Sequence, residues 1–198
     1  DITGRMLELF GYIGFDESYP CVRAGAQFLR KEQENDGSWY GRWGVNYIYG
    51  TWQALRGLAA IGEDMTQDYV LKSAAWLKST QQPDGGWGET CLTYADPSAK
   101  GRGPSTPSQT AWAVMGLMAA GQGRDLAVAR GVDYLIETQL EDGTWNESEF
   151  TGTGFPKVFY LDYTLYRNYF PLLALGQYRT SLREPATAPH QARIPATR

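Results

Sequence analysis

Apolar residues recur at helical intervals along most of the chain, and short polar breaks that contain glycine separate the helical stretches. Residues 73–81 and 131–139 have apolar positions three or four residues apart, and each stretch ends at a Gln shortly before an Asp-Gly pair, which predicts an amphipathic helix followed by a turn. Residues 49–62 and 106–121 are apolar on almost every side, and a helix of that kind is buried. The pattern predicts an all-α fold in which amphipathic outer helices alternate with buried inner helices, as in a stacked or closed ring of helix pairs.

A seven-residue motif, Gln-x-x-x-Gly-x-Trp with Asp directly before the Gly, occurs three times along the chain. The copies recur at intervals of about fifty residues, which is the length of one helix pair with its loops. An aromatic residue stands five positions before each Gln, namely Phe28, Trp76 and Tyr134. The chain is therefore predicted to consist of repeated helical units.

The residue types of the motif suit a structural clasp at the end of a helix. A Gln amide can bond backbone groups left open at a helix end, a Gly permits a positive φ, and an Asp can bond N–H groups within the turn. The Trp can fold back over the helix end while its indole N–H finds an acceptor. We expect each motif to fasten one outer helix to the next, and Asp36, Asp84 and Asp142 to be turn residues rather than catalytic acids. The Gln and Trp residues concerned are Gln33, Trp39, Gln81, Trp87, Gln139 and Trp145.

Composition narrows the class of function. The 198 residues are 42% hydrophobic and carry a formal net charge of -4, so there is no basic footprint and nucleic acid is not an expected partner. Aromatic residues make up 14% of the chain, which calls for a crowded core or an aromatic-lined site. Cys21 and Cys91 lack metal-ligand spacing and are expected to be free thiols in a reducing compartment. The longest apolar run, residues 111–121, is too short to cross a bilayer.

A series of aromatic residues precedes the tail of the chain. Phe155, Phe159, Tyr163, Tyr166 and Phe170 follow one another at steps of three or four, which predicts one face of a last inner helix. Spacing alone favours a core stripe over the wall of a site.

The last eighteen residues differ in composition from the rest. Residues 181–198 are rich in Pro, Ala and charge, and are predicted to be a disordered tail after a domain at residues 1–180. The single histidine, His190, lies in this tail, which argues against catalysis by histidine.

The three motifs resemble the QW repeats of the triterpene cyclases. The stretches GRWGVNYIYG (41–50), STPSQTAWA (105–113) and FTGTGFPKVFYL (150–161) are similar to the C-terminal part of bacterial squalene–hopene cyclases. The resemblance covers about residues 1–180 and implies part of an α/α toroid, the α6/α6 barrel type with alternating inner and outer helices. Because the chain begins with Asp and reads as helix at once, we expect it to be a C-terminal fragment.

The resemblance implies an isomerase that protonates squalene, a linear isoprenoid, and cyclises it to a polycyclic triterpene without metal or organic cofactor. It places Asp1 and Tyr49 close to the catalytic acid. At the position where the family usually has His, this chain has Arg5, which stays protonated and cannot shuttle a proton. The acid itself belongs to a D-x-D-D motif that does not occur in the 198 residues, so the fragment alone is expected to be inactive. The positions implied to line the substrate cavity are Trp43, Phe155, Phe159, Leu161, Tyr163 and Tyr166.

Three alternatives stay open at this point. A protein prenyltransferase β-subunit shares the toroid but needs a zinc site with a His ligand, and His190 is in the tail. An oxidosqualene cyclase differs only in substrate. A non-catalytic helical-toroid binding module, or a degenerate cyclase, would explain the repeats but not the aromatic series.

The expected partners follow from the resemblance. Squalene dissolves in the bilayer, so the whole protein is expected on the cytoplasmic side of a membrane as a peripheral or monotopic protein, bound through a part outside this chain. A homodimer is possible within the family.

Overall fold

The computed structural model describes residues 1–183, which form seven α-helices and one short antiparallel hairpin. The helices are α1 (Ile2–Tyr12), α2 (Pro20–Lys31), α3 (Tyr47–Ala60), α4 (Asp68–Ser79), α5 (Pro107–Ala119), α6 (Leu126–Glu137) and α7 (Tyr166–Arg183). The strands are β1 (Gly152–Phe155) and β2 (Phe159–Leu161). The predominantly helical fold predicted from the apolar pattern is confirmed.

Helices α1, α3, α5 and α7 pack side by side in that order and form an inner arc. Helices α2, α4 and α6 pack outside it, against α1, against α3 and α5, and against α5. The first eleven residues of α5 are all buried, and so are most of those of α3, which confirms the two buried helices predicted from the sequence. Close approach of α1 to α3 depends on Gly4 and Gly57, because a Cβ at either position would overlap backbone atoms of the other helix.

Two of the three motif glutamines join neighbouring outer helices, whereas each motif was expected to do so. The Gln33 amide nitrogen at the end of α2 donates to the carbonyl oxygens of Gly37, at 3.0 Å, and of Tyr69 in α4, at 2.8 Å. Gln81 at the end of α4 donates to Ala127 in α6 in the same way, at 2.8 Å. Gln139 donates to the carbonyl oxygen of Gly143 within its own turn, at 2.9 Å. The first two motifs thus connect α2 to α4 and α4 to α6.

The motif tryptophans close the helix ends and reach the inner arc. Each indole N–H donates to the carbonyl oxygen four residues before its Gln, at 2.7 to 2.8 Å. The backbone N–H of Trp39 donates to Thr51 in α3 and that of Trp87 to Thr110 in α5, both at 2.9 Å. The turn glycines have the positive φ expected of them, 98° at Gly37 for example. Each Asp side chain accepts an N–H two residues ahead within its turn.

The helix predicted for the aromatic series is wrong over its first part. Residues 152–161 form the β1–β2 hairpin, in which Thr153 faces Tyr160, and α7 begins only at Tyr166. The physical reason lies in Gly152 and Gly154, where a Cβ would overlap the rings of Tyr163 and Phe159. Aromatic rings therefore pack directly on the hairpin backbone. Of the five aromatic residues of the series, the last two lie on α7.

The boundary predicted at residue 180 falls within helix α7. Helix α7 continues through residues 181–183, beyond the predicted boundary, and the rest of the tail with His190 lies outside the described residues. Cys21 and Cys91 are both free thiols, as expected.

Candidate active site

The loop of residues 41–46 holds its backbone inside the protein and points one large side chain outward. Tyr94 donates its hydroxyl to the carbonyl oxygens of Gly41, at 2.9 Å, and of Gly44, at 2.8 Å. The Val45 N–H donates to the Thr151 carbonyl at 2.9 Å. The loop is therefore fixed by buried hydrogen bonds, while the Trp43 side chain that it carries is 42% exposed.

The Trp43 ring belongs to a group of side chains that we call the hairpin cluster: Arg42, Trp43, Phe155 and Phe159. The Arg42 guanidinium lies 4.5 Å from the ring centre of Trp43 and 5.3 Å from that of Phe155. The Phe155 and Phe159 rings meet edge to face at 5.7 Å. Since a guanidinium is attracted to ring faces, Arg42 connects the loop aromatic to the hairpin aromatics.

A second group, the inner aromatic cluster, comprises Tyr49, Trp52, Trp112, Tyr163, Tyr166 and Phe170. Tyr163 stacks on Tyr166 with ring centres 4.6 Å apart, and Tyr166 lies 6.0 Å from Trp112. Trp112 in turn lies 4.9 Å from Tyr49, which is buried at the start of α3. The resulting surface of aromatic rings runs across the inner arc from α7 to α3.

The two clusters meet at a pair of glycines. Gly44 in the loop forms an isolated antiparallel bridge with Gly152 in β1. The Tyr49 ring lies against Gly44, and the Tyr163 ring lies against Gly152, so closely that a Cβ at either glycine would overlap the ring. Leu161 is the strand partner of Gly152. The residues that the resemblance assigned to the substrate cavity therefore come together at the N-terminal ends of α3 and α7.

Asp1, Arg5 and Tyr49 link α1 to this region. One Asp1 carboxylate oxygen accepts from the Trp43 N–H at 2.8 Å, and the other caps α1 by accepting from the Ile2 N–H at 2.7 Å. Arg5 donates to the Tyr49 hydroxyl at 2.9 Å. Burial raises the pKa of the Tyr49 phenol against the opposing effect of the Arg5 cation. Because Tyr49 accepts from Arg5, its own hydroxyl proton remains free to be donated to a group outside the described residues.

The described residues leave the aromatic surface open. Trp43, Phe155, Phe159 and Tyr163 are 40 to 55% exposed among the described residues. A cavity of about 180 Å³ lies between α1, α3 and α7, and Arg5, Trp52 and Phe170 contribute to its lining.

Sequence reasoning missed Arg42 and Glu89. Glu89 is wholly buried and accepts from the N–H groups of Asn46, at 3.3 Å, and Ile48, at 3.0 Å. Burial raises the pKa of the Glu89 carboxyl from 4.5 to about 7. A signal was available, because Glu stands two positions after the motif Trp both here and at Glu147.

Within residues 1–183, the His, Cys, Asp and Glu side chains form no group of three or more that could hold a metal ion. None of the helices in this part of the chain has the length and apolar character needed to cross a membrane.

An inner arc with outer helices clasped around it, and an aromatic surface at one end of the arc, define a segment of an α/α toroid of the terpene cyclase class. The model of the squalene–hopene cyclase C-terminal domain family matches residues 1–180. The chain belongs to this family.

Relatives and solved structures agree with this assignment. The squalene–hopene cyclase of Alicyclobacillus acidocaldarius is 51% identical over 182 residues, which are 92% of this chain and 29% of that protein. The dammaradiene synthase of Dryopteris crassirhizoma is 44% identical over 96% of this chain and 31% of its own length. The ent-copalyl diphosphate synthase of Streptomyces platensis superimposes with a TM-score of 0.55 at 26% identity, covering 79% of this chain and 28% of that one. The chain thus spans less than a third of the length of the curated relatives it matches.

Proposed function

We propose that this chain forms part of the cyclisation site of a squalene–hopene-type cyclase, an isomerase that converts squalene to a polycyclic triterpene. The observation that carries the proposal is that the hairpin cluster and the inner aromatic cluster meet at Gly44 and Gly152, at one end of a toroid segment. The name of the A. acidocaldarius relative, squalene–hopene cyclase, supports squalene as the substrate.

The chemistry of that surface suits a cationic reaction. Protonation of a terminal double bond creates a carbocation that migrates as each ring closes. An aromatic ring attracts the cation through its quadrupole, yet it presents no lone pair that would trap the cation. The Tyr49 and Tyr166 phenols are neutral near pH 7 because a phenol ordinarily titrates near pH 10, and burial raises the pKa of each further. The described surface therefore stabilises positive charge without ending the reaction early.

The proton donor comes from outside these residues. The chain contains no D-x-D-D sequence, so it contributes Tyr49, Asp1 and Arg5 around an acid that another part of the protein supplies. With Arg5 in place of a histidine, this side of the acid has a permanent cation and a hydrogen-bond donor. Residues 1–198 alone are expected to be inactive.

The setting of the whole protein is part of the proposal. Squalene partitions into lipid, so a cyclase acting on it takes its substrate from a bilayer, as a peripheral or monotopic protein at the cytoplasmic face. The membrane-binding surface belongs to the remainder of the protein, and homodimerisation is compatible with this arrangement.

A chimeric cyclase tests the function. In this chimera, residues 1–180 replace the matching segment of the A. acidocaldarius relative, and the product of incubation with squalene is analysed by mass spectrometry. We expect polycyclic triterpene from the chimera and much less from its variant with Phe159→Ala and Trp43→Ala. A chimera that folds with the melting temperature of the parent but leaves squalene unchanged would overturn the proposal. That outcome would favour a non-catalytic toroid module or a degenerate cyclase.

A further inference from the structure

We infer that Glu89 is a positioning residue whose carboxylate fixes the loop of residues 41–46 and the first turn of α3, and thereby orients Trp43 and Tyr49. The effect of Glu89 on catalysis rests on the proposed function. The orientation of the loop and of the first turn of α3 by Glu89 rests on hydrogen bonds in the structure alone.

Glu89 caps α3 from a distant part of the chain. One carboxylate oxygen accepts from the N–H groups of Asn46 and Ile48, which are the cap residue and the second residue of the helix. The Asn46 side chain does not cap its own helix. It accepts from the Gly41 N–H at 3.2 Å and donates to the Thr93 hydroxyl at 3.1 Å. The helix cap is thus left to Glu89, and Asn46 is free to close the loop.

The Glu89 backbone is itself held in place. Its N–H donates to the Gln109 side-chain oxygen at 3.0 Å, and its carbonyl accepts from the Gln109 nitrogen at 2.9 Å. The same nitrogen donates to the Val45 carbonyl at 2.9 Å. Because Gln109 lies on α5, its hydrogen bonds fix the Glu89 backbone relative to the inner arc. The Glu89 carboxylate therefore holds the loop and the first turn of α3 in a fixed position relative to α5.

The next repeat contains the same arrangement. Glu147 also follows its motif Trp by two residues, and it accepts at 2.9 Å from the N–H of Ser108, the second residue of α5. A carboxylate at a helix N-terminus is favourable because the free N–H groups and the helix dipole both attract negative charge. In both repeats, the Glu two residues after the motif Trp therefore accepts from the N–H of the second residue of an inner helix.

The two carboxylates differ in one respect that bears on their roles. Glu147 uses both oxygens, the second accepting from the hydroxyls of Ser108 and Thr151. In Glu89 the second oxygen is buried without a partner among the described residues. Such an oxygen costs stability, whereas an apolar side chain at position 89 would leave the buried N–H groups of Asn46 and Ile48 without their acceptor. Glu89 therefore holds the loop and the helix turn at a cost that Glu147, with both oxygens paired, does not carry.

Two measurements on the chimera test the inference: the fluorine NMR resonance of a labelled Trp43 and the turnover of squalene. 5-Fluorotryptophan is incorporated at position 43 of the chimera, and Glu89→Gln and Glu89→Ala are compared by fluorine NMR. Gln keeps one acceptor oxygen and Ala keeps none, so the resonance should shift and broaden slightly in the first and strongly in the second. The kcat should fall by about tenfold for Gln and about a hundredfold for Ala, since misplacement by an ångström can cost that much, while KM changes less than threefold. The share of incompletely cyclised products should rise in the same order.

Asp125→Asn is the matched control. Asp125 also caps a helix, accepting from the Ala127 N–H of outer helix α6 at 2.9 Å, and Asp125→Asn is likewise a change from acid to amide. This substitution should lower the melting temperature and leave the position-43 resonance, kcat and products unchanged.

The inference is overturned if Glu89→Gln, or a folded Glu89→Ala, matches the unsubstituted chimera in resonance, kcat and products. If the unsubstituted chimera does not turn over squalene, the proposed function fails, and the resonance comparison still decides the role of Glu89.

Discussion

At the scale of single residues, two buried polar side chains hold the parts of the site together. Glu89 and Tyr49 are both buried, and both have partners that come from another helix or loop. The helical periodicity of the sequence does not reveal these contacts, because Arg5 and Ile48 lie more than forty residues from the side chains they bond. Two predictions follow from these contacts.

The first concerns Glu89 and pH. Burial raises the pKa of Glu89 in the folded protein to about 7 from its ordinary 4.5, so the folded state holds this proton more tightly than the unfolded state. The stability contributed by Glu89 is therefore fully present below pH 4.5 and is lost as the pH rises through about 7. Over that window the free energy of unfolding should fall by about 3 kcal/mol relative to Glu89→Gln.

Urea unfolding of both proteins at pH 5 and pH 8 provides the measurement. The neighbouring Tyr47 does not titrate there, because a phenol ordinarily titrates near pH 10 and burial raises the pKa of Tyr47 to about 12. Parallel stability curves for the two proteins would show that Glu89 is not the titrating group. A variant that is more stable at pH 8 yet misplaces Trp43 would separate the stability of the fold from the orientation of the loop.

The second prediction concerns Tyr49→Phe. This change removes the hydroxyl that accepts from Arg5, but Arg5 is exposed and can turn to water, so the free energy of unfolding should fall by about 1 kcal/mol or less. In the chimera, the rate of squalene consumption should fall much more, because the proposed role of Tyr49 is at the acid. Differential scanning calorimetry and product formation give the two numbers. Equal rates for Tyr49→Phe and the unsubstituted chimera would remove Tyr49 from the site.

At the scale of elements, the three motifs do unequal work. Gln81 joins α4 to α6, whereas Gln139 bonds only within its own turn among the described residues and is exposed. Gln81→Ala should therefore lower the free energy of unfolding by about 1 to 3 kcal/mol, because it leaves carbonyl oxygens at a helix junction without a donor. Gln139→Ala is the matched control and should change it by less than about 0.5 kcal/mol. Chemical denaturation measures both, and equal losses would contradict the clasp function of Gln81.

The hairpin gives an element-scale prediction about glycine. A Cβ at Gly154 would overlap the Phe159 ring, so Gly154→Ala should displace that ring and destabilise the protein by about 1 to 3 kcal/mol. Gly176 in α7 has open space around it, and Gly176→Ala should be neutral or stabilise the protein by up to about 1 kcal/mol. Thermal unfolding ranks the two variants. Loss of stability in Gly176→Ala alone would refute the assignment.

The hairpin also shows what the sequence could and could not predict. The alternation of buried and amphipathic helices was predictable, because helical periodicity records which face is buried at α3, α5 and the outer helices. The steps of four among Phe155, Phe159 and Tyr163 resemble helical spacing, although the two glycines between residues 151 and 155 make room for rings across a hairpin. The residues that the resemblance assigned to the substrate cavity lie at one end of the arc, and their role there stays a prediction. Arg42 and Glu89 escaped because their partners are set by tertiary packing.

At the scale of the whole molecule, the inner arc has an uncovered side. Ile2, Met6, Leu9 and Ile13 follow helical spacing on α1 and are 43 to 55% exposed. Monomeric proteins seldom leave such a stripe in water. Because relatives such as the A. acidocaldarius protein are more than three times as long, we expect further helices of the toroid to cover this side of α1.

The last prediction compares the effect of one substitution on the stability of the chimera and of residues 1–198 alone. If other helices cover α1, Leu9→Ser should lower the free energy of unfolding of the chimera by about 2 kcal/mol, since it removes a buried leucine side chain from an apolar contact. In residues 1–198 alone the same side chain already faces water, so the loss should be within about 0.5 kcal/mol. Leu126, which is 73% exposed on outer helix α6, is the control, and Leu126→Ser should be neutral in both proteins. Equal effects of Leu9→Ser in the two proteins would mean that the stripe stays exposed, and the toroid would then have to close on another surface of the arc.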